Sequence, residues 1–229
     1  VDNVIGPLSM EGGKFDVAVD RNRLVAKGAG RIGGQAANIT WQETIRPTPP
    51  GTATTQVSIS GAPDASILDD FGFPSRSSMR GNFGAEVFAA GERLRITRGV
   101  VTLNLAQLDI SPDSLRWRKT KGTPGQFTLA FSKTAAPDSP SAISISALTN
   151  GATMTFSGSL GPNNRLLSGD LTRFFIPGAF DITGRMRQDQ NGRVLDVRGP
   201  LMEGRTILGL IFKGGGEKDL HAPIKEPPL

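Results

Sequence analysis

The sequence predicts a mainly β protein with one short helix, on three observations. Apolar and polar residues alternate with a period of two over most of the 229 residues. Turn residues interrupt that alternation at short intervals. Glycine (29) and proline (16) together make up about a fifth of the chain, which excludes a long-helix protein.

The elements follow in order. Phe15, Val17 and Val19 alternate with Asp16, Ala18 and Asp20, and Arg21-Asn22-Arg23 is short enough to return the chain through Leu24 to Lys27 as a hairpin. Ala37, Ile39 and Trp41 alternate with Asn38, Thr40 and Gln42. The breaker Pro47-Thr48-Pro49-Pro50-Gly51 then marks a loop before Val57 and Ile59. The pattern returns at Phe83, Ala85 and Val87, at Leu94 and Ile96 against Arg93 and Arg95, and at Val101, Leu103 and Leu105. It continues at Leu115 and Trp117 against Arg116 and Arg118, and at Phe127, Leu129 and Phe131. Beyond a Pro137 to Pro140 loop come Ile143 and Ile145, Met154 and Phe156, Phe180 and Ile182, and Leu195 and Val197, with Asn191-Gly192 as a hairpin turn. The single helix is expected after Asp64 as N-cap, with Ile67, Leu68 and Phe71 at helical spacing and Gly72 as the stop. Residues 1–212 read as one β-rich domain, and Lys213 to Leu229, rich in glycine and proline, as a flexible tail. Alternation alone leaves three architectures open: a closed barrel, a paired sandwich, or one long curved sheet.

Composition removes several chemistries. With no cysteine there is no disulfide, thiol nucleophile or thiolate metal site, and with His221 as the sole histidine little imidazole chemistry is available. Absence of cysteine suits an oxidising compartment. A net charge of +5 and a pI near 10.0 permit attraction to phosphate-rich partners, lipid head groups or nucleic acid, and decide between neither. The longest strongly apolar stretch, Ile207 to Phe212, is far shorter than the roughly 20 residues of a membrane span. The sequence begins at Val1 without methionine or a signal-peptide pattern, so a processed chain or a fragment is expected.

Four motifs have plain alternatives. Gly28-Ala29-Gly30-Arg31-Ile32-Gly33 matches G-x-G-x-x-G, but a strand pattern follows it and no helix N-terminus is there to hold a diphosphate, so a glycine-rich strand and turn without nucleotide affinity is expected. Arg116-Trp117-Arg118-Lys119-Thr120-Lys121 places one aromatic among four cations, the minimum for stacking on nucleic acid; the plainer reading puts Trp117 in the core and leaves the cations solvated. Asp69-Asp70 are neighbours that point apart and make a poor acid/base dyad. His221 lies in the tail, where an ordered site is hard to hold. No catalytic residue, metal site or cofactor is therefore assigned, and no enzymatic activity is expected.

The order of three segments resembles the AsmA-like family of Gram-negative envelope proteins, of the YhdP and TamB type. A strand, Val57-Ser58-Ile59-Ser60-Gly61, runs into the short helix Asp64 to Gly72. Gly99 to Leu108 leads to Leu115-Arg116-Trp117-Arg118-Lys119 and Gly122-Thr123-Pro124. Phe180-Asp181-Ile182-Thr183-Gly184 leads to Leu195-Asp196-Val197-Arg198-Gly199. The resemblance covers roughly Lys14 to Phe212. It implies a long curved antiparallel sheet with a hydrophobic inner groove, and a periplasmic module, tethered to the inner membrane in a longer protein, that carries phospholipid between the membranes for outer-membrane biogenesis. Its ligands would be phospholipid acyl chains and its partners envelope proteins of the inner and outer membranes; nucleic acid is not expected. The acyl chains would lie on the face of Phe15, Val17, Val19, Ile39, Trp41, Val57, Ile59, Phe83, Val87, Leu94, Ile96, Leu103, Phe127, Leu129 and Phe131. Two other classes stay open: a structural envelope module whose apolar faces are all internal, and a nucleic-acid-binding barrel using Arg116 to Lys121. Whether the apolar face is an open groove or a filled core is left undecided by the sequence.

Overall fold

The computed structural model describes residues 7–202 apart from 50, 74, 114, 134–138, 162–164 and 190–191. The first halves of the predicted Asn191-Gly192 turn and Pro137 to Pro140 loop, and the whole predicted tail with His221, lie outside the described residues.

Fourteen strands are described: β1 (Met10–Val19), β2 (Arg23–Ile32), β3 (Gln35–Thr44), β4 (Thr55–Gly61), β5 (Met79–Gly81), β6 (Gly84–Glu92), β7 (Arg95–Asn104), β8 (Leu108–Ile110), β9 (Gly125–Lys133), β10 (Ser141–Thr149), β11 (Ala152–Leu160), β12 (Leu166–Ile176), β13 (Phe180–Asp189) and β14 (Gly192–Met202). Twelve of them form one open antiparallel sheet in the order β1-β2-β3-β4-β6-β7-β9-β10-β11-β12-β13-β14. Every neighbour in that sheet is the next long strand along the chain, so the topology is a meander. The two short strands β5 and β8 pair only with each other.

Barrel and sandwich are thereby excluded for the described strands: the sheet is not closed and no second sheet of comparable size faces it. Bulges interrupt the register at Ala90/Gly91, Thr155/Phe156, Ser159/Leu160, Leu171/Phe174 and Asp181/Thr183, and each adds twist and bend to its strand.

One end of the sheet carries an insert, made of the β4–β6 connection (62–83) and the β7–β9 connection (105–124). The predicted helix lies in it as a 3₁₀ helix, Ala65–Phe71, followed by a four-residue helix α1 (Ser75–Ser78) that the sequence did not announce. The expected caps are present: Asp64 accepts a hydrogen bond from Ser66 N (2.9 Å), and Gly72 closes the element with φ +80°. The predicted strand around Leu115 and Trp117 does not form. The segment is irregular apart from one bridge, in which Lys119 pairs with Ile110 at the edge of β8.

The core gathers at this end. Phe83, Leu105, Leu108 and Ile110 pack with Ala65 and take in Ile67, Leu68, Leu103 and Phe127. Ile67 also packs on Leu8, Ile32 and Ile39, and Trp117 reaches Ile176, Ala179, Phe180 and Ile182. Through the half-buried Ile67 and Trp117 the insert thus links three buried clusters, from β2–β3 to β12–β13.

Candidate functional site: an apolar face across twelve strands

Register decides which side chains share a face, because a period of two is fixed in every strand. One row crosses the whole sheet: Phe15, Gly28, Ile39, Ile59, Val87, Val101, Leu129, Ile145, Phe156, Leu171, Gly184 and Val197. A second row, one step nearer the uncovered end, runs Val17, Ala26, Trp41, Val57, Ala89, Gly99, Phe131, Ile143 and Gly158. A third, one step nearer the insert, contains Ala37, Gly61, Ala85, Leu103, Phe127, Ala147, Met154 and Phe174. The three rows span about 13 Å along each strand and about 50 Å across the sheet at ordinary strand spacing.

On the opposite face the corresponding row reads Asn38, Ser60, Glu86, Thr102, Thr128, Ser146, Thr155 and Arg173. Phe88, Val100 and Leu148 are exposed exceptions on that side. A recess of about 880 Å³ also opens there, bordered by Glu86, Thr102, Asn104, Gln126 and Asn150. Its lining mixes hydroxyls and amides with Ala85, Ala106, Pro124, Leu148 and several glycines, with one charged side chain and no aromatic ring to stack on a ligand.

The apolar rows are covered only near the insert. In the middle of the sheet Val57, Val87, Val101, Leu129, Phe131, Ile143 and Ile145 are half-buried and no other layer lies over them, whereas Ile59 packs against the Leu8, Ile32 and Ile39 cluster. Two glycine positions let aromatic rings lie down on the apolar face. A Cβ at residue 99 would lie 2.5 Å from Phe131 Cε1, and one at residue 169 would lie 2.6 Å from Phe156 Cζ. Both rings therefore rest on the neighbouring glycine backbone and do not stand up to fill the groove. Within the apolar surface the buried indole Nε1 of Trp41 has no acceptor among the described residues.

The predicted lipid-facing residues divide into two sets. Phe15, Val17, Val19, Ile39, Trp41, Val57, Ile59, Val87, Leu103, Phe127, Leu129 and Phe131 share the apolar face by register. Ile96, past the Ala90/Gly91 bulge, pairs with Gly91 at the edge of that face. Two assignments are corrected. Phe83 precedes β6 and is 3% exposed inside the insert core, so no ligand reaches it. Leu94 is in the β6–β7 turn with φ +68° and stands out from the sheet end. Sequence reasoning missed Ile143, Ile145, Met154, Phe156 and Leu171 as groove residues, although it had placed four of them on strands; their alternation was the available signal.

The basic segment is also rearranged. Arg116, Arg118 and Lys121 are exposed, but Lys119 is completely buried, its Nζ donating to Leu108 O at 2.7 Å, and burial pushes its amine below the usual lysine range. Arg118 pairs with Asp109 at 3.1 Å. Trp117 donates from Nε1 to Asn150 O at 3.3 Å, while Asn150 Nδ2 donates to Arg118 O at 2.6 Å. These partners tie the segment to the β10–β11 turn and leave its aromatic ring unavailable for base stacking. Asp69 likewise is an anchor: Ser75 N and Oγ donate to its Oδ1 at 2.9 and 2.7 Å, and Arg76 lies 2.7 Å from Oδ2. Gly28 and Gly30 lie within β2, and Gly33 in the β2–β3 turn, with a strand on either side.

Among the described residues no three His, Cys, Asp or Glu side chains gather as metal ligands, and no helix is long and apolar enough to cross a membrane. Comparison with protein-family models, with curated proteins and with solved structures finds no match for this chain.

Proposed function

We propose that this protein shelters phospholipid acyl chains in its β-groove and serves lipid transfer between the inner and outer membranes, as the AsmA-like resemblance implies. The observation that carries the reading is the row of apolar residues that crosses all twelve strands and lies uncovered through the middle of the sheet. A contiguous exposed apolar surface of this extent marks a binding face more often than idle surface. Each acyl methylene taken out of water contributes about 0.8 kcal/mol, so a chain laid along the groove binds without a specific polar contact. Low head-group selectivity follows, and a periplasmic site of action fits the lack of cysteine.

The test compares the two faces of one strand. A photoreactive amino acid at Ile145, on the apolar face, is expected to crosslink phospholipid in cells, and the same probe at Ser146, on the opposite face, is not. Absence of crosslinked lipid at position 145, with none extracted from the purified protein, would replace the carrier reading by that of a structural envelope module. Recovery of nucleic acid in place of lipid would point to nucleic-acid binding by this open sheet through the exposed Arg116, Arg118 and Lys121.

A further inference from the structure

The end of the sheet away from the insert is built from hairpin tips, and three adjacent ones share an unusual composition. They are 20–23 between β1 and β2, 45–54 between β3 and β4, and 92–95 between β6 and β7. Hydrogen bonds join them into one surface: Ile45 N donates to Asn22 O (2.7 Å), Thr54 N to Gly91 O (2.8 Å), and Arg93 N to Thr54 Oγ1 (2.8 Å). The three tips carry Arg21, Arg23, Arg46, Arg93 and Arg95 against Asp20 and Glu92. Arg23 pairs with Asp20, whereas Arg21, Arg46, Arg93 and Arg95 are exposed and make no ion pair among the described residues. Between these cations stand Val19, Ile45 and Leu94, 65%, 52% and 64% exposed.

Leu94 is held in place at a conformational cost. Arg93 and Leu94 have φ of +50° and +68°, a region in which a bulky L-residue is an outlier and where hairpin turns ordinarily use Asn or Gly. The turn is fixed by two buried threonines of the neighbouring hairpin: Thr54 Oγ1 accepts from Arg93 N and Thr55 Oγ1 accepts from Leu94 N, both at 2.8 Å, and Thr55 in turn donates to Glu43 at 2.6 Å. Strain that the surroundings enforce, at a residue whose side chain makes no use of the core, points to a role outside the molecule.

We propose that these three tips dock the uncovered end of the sheet on a bilayer surface containing anionic phospholipid, an inference that rests on the lipid-carrier reading and gives its groove an entrance. Guanidinium groups would pair with head-group phosphates, while Leu94, Ile45 and Val19 enter the acyl boundary between them. An acidic protein would satisfy the arginines but leave three exposed aliphatic side chains without a reason, so the mixture favours the membrane.

The experiment is co-sedimentation of the purified protein with vesicles of phosphatidylcholine alone or containing about one third phosphatidylglycerol. Binding is expected only to the anionic vesicles and is expected to weaken with salt. Leu94→Gly should reduce it severalfold while leaving Tm unchanged or raised, since glycine suits the turn. Each tip arginine contributes about fivefold, so combined Arg21→Gln, Arg46→Gln and Arg95→Gln should reduce binding more than tenfold. Removal of the same charge at the insert end, by Arg80→Gln, Arg116→Gln and Lys121→Gln, should have a much smaller effect. Equal loss in both triple variants, wild-type binding by Leu94→Gly, or equal affinity for neutral vesicles would overturn the docking proposal. A protein that holds lipid in its groove but binds neither vesicle overturns the docking alone; one that docks but never yields groove lipid overturns the carrier reading alone.

Discussion

The two ends of the sheet are made from the same alternating strands and end in different states. At the insert end the apolar side chains are covered: Phe83 is 3%, Leu108 2% and Phe180 3% exposed. In the middle of the sheet, Val101 of β7 and Ile145 of β10 have no protein layer over them and remain half-buried. The difference teaches where stability and binding reside. The insert end contributes most of the dry packing that holds the fold, and the middle of the sheet contributes surface to which another apolar molecule can add.

The sharpest way to break this comparison is to place a charge in each region. Phe83→Asp is expected to prevent folding, because an unpaired carboxylate in a dry cluster costs several kcal/mol. Leu129→Asp is expected to stay folded, its carboxylate hydrated in the groove, and to lose crosslinked lipid. Circular dichroism and crosslinking on both variants check the pair, and unfolding of the second would mean that the groove is a filled core.

Truncation gives a smaller, graded contrast. Leu108→Ala should lower stability by about 3 kcal/mol, as a large-to-small change in a closed core. Ile145→Ala should lower it by about 1 kcal/mol, because less area leaves contact and no sealed cavity forms. Urea unfolding of the two variants measures the difference. Lys119→Ala belongs with the first, at about 2 kcal/mol, for it removes a buried charged hydrogen bond and a packed aliphatic stem; Lys121→Ala should stay within about 0.5 kcal/mol.

Acid should separate the regions without mutation. Three carboxylates of the insert end are held below the usual value of 3.8: Asp64 chiefly by the Ser66 N–H, Asp69 chiefly by the Ser75 hydroxyl, and Asp109 chiefly by the Arg118 guanidinium. Each is harder to protonate in the folded than in the unfolded chain. Their stabilisation is therefore complete above about pH 4 and is lost as pH falls through the lowered folded values. Trp117 reports on the insert and Trp41 on the groove, so Trp41→Phe and Trp117→Phe proteins let fluorescence follow each region. The insert is expected to loosen at the higher pH of the two. The smallest expected effect is a gain: Leu94→Gly should stabilise the fold by up to about 1 kcal/mol, by removing a side chain from a left-handed turn, and thermal unfolding would show it.

Much of this architecture was legible in the sequence, for reasons that can be stated. Alternation such as Ile143, Ile145 against Ser144, Ser146 fixes the two faces of a strand whatever lies opposite, and Asp64 with Gly72 fixes the limits of a short helix through hydrogen bonds made locally. What stayed hidden depends on distant partners. An open groove and a filled core have the same strand pattern, so only the sheet topology distinguishes them. Phe83 reads as one more strand residue until the insert closes over it. Lys119 reads as a solvated cation because its acceptor, Leu108 O, is eleven residues away on another element. Leu94 lacks any turn signature, since its conformation is imposed by hydroxyls from a different hairpin.

The meander has a consequence for how the chain acquires its structure. Each long strand pairs with the long strand before it in sequence, so outside the two long connections that form the insert pairing requires the closure of short loops, and topology of that kind favours rapid formation of hairpins. Energetics then resemble those of a linear array, with each strand held mainly by its two neighbours. A polypeptide emerging from a ribosome or a translocation pore could add strand upon strand in order of synthesis, with no need for its last segment to find its first. Only the insert departs from that economy, since Ile67 and Trp117 must reach opposite parts of the sheet. Its docking is the step that has to wait until β13 has been made.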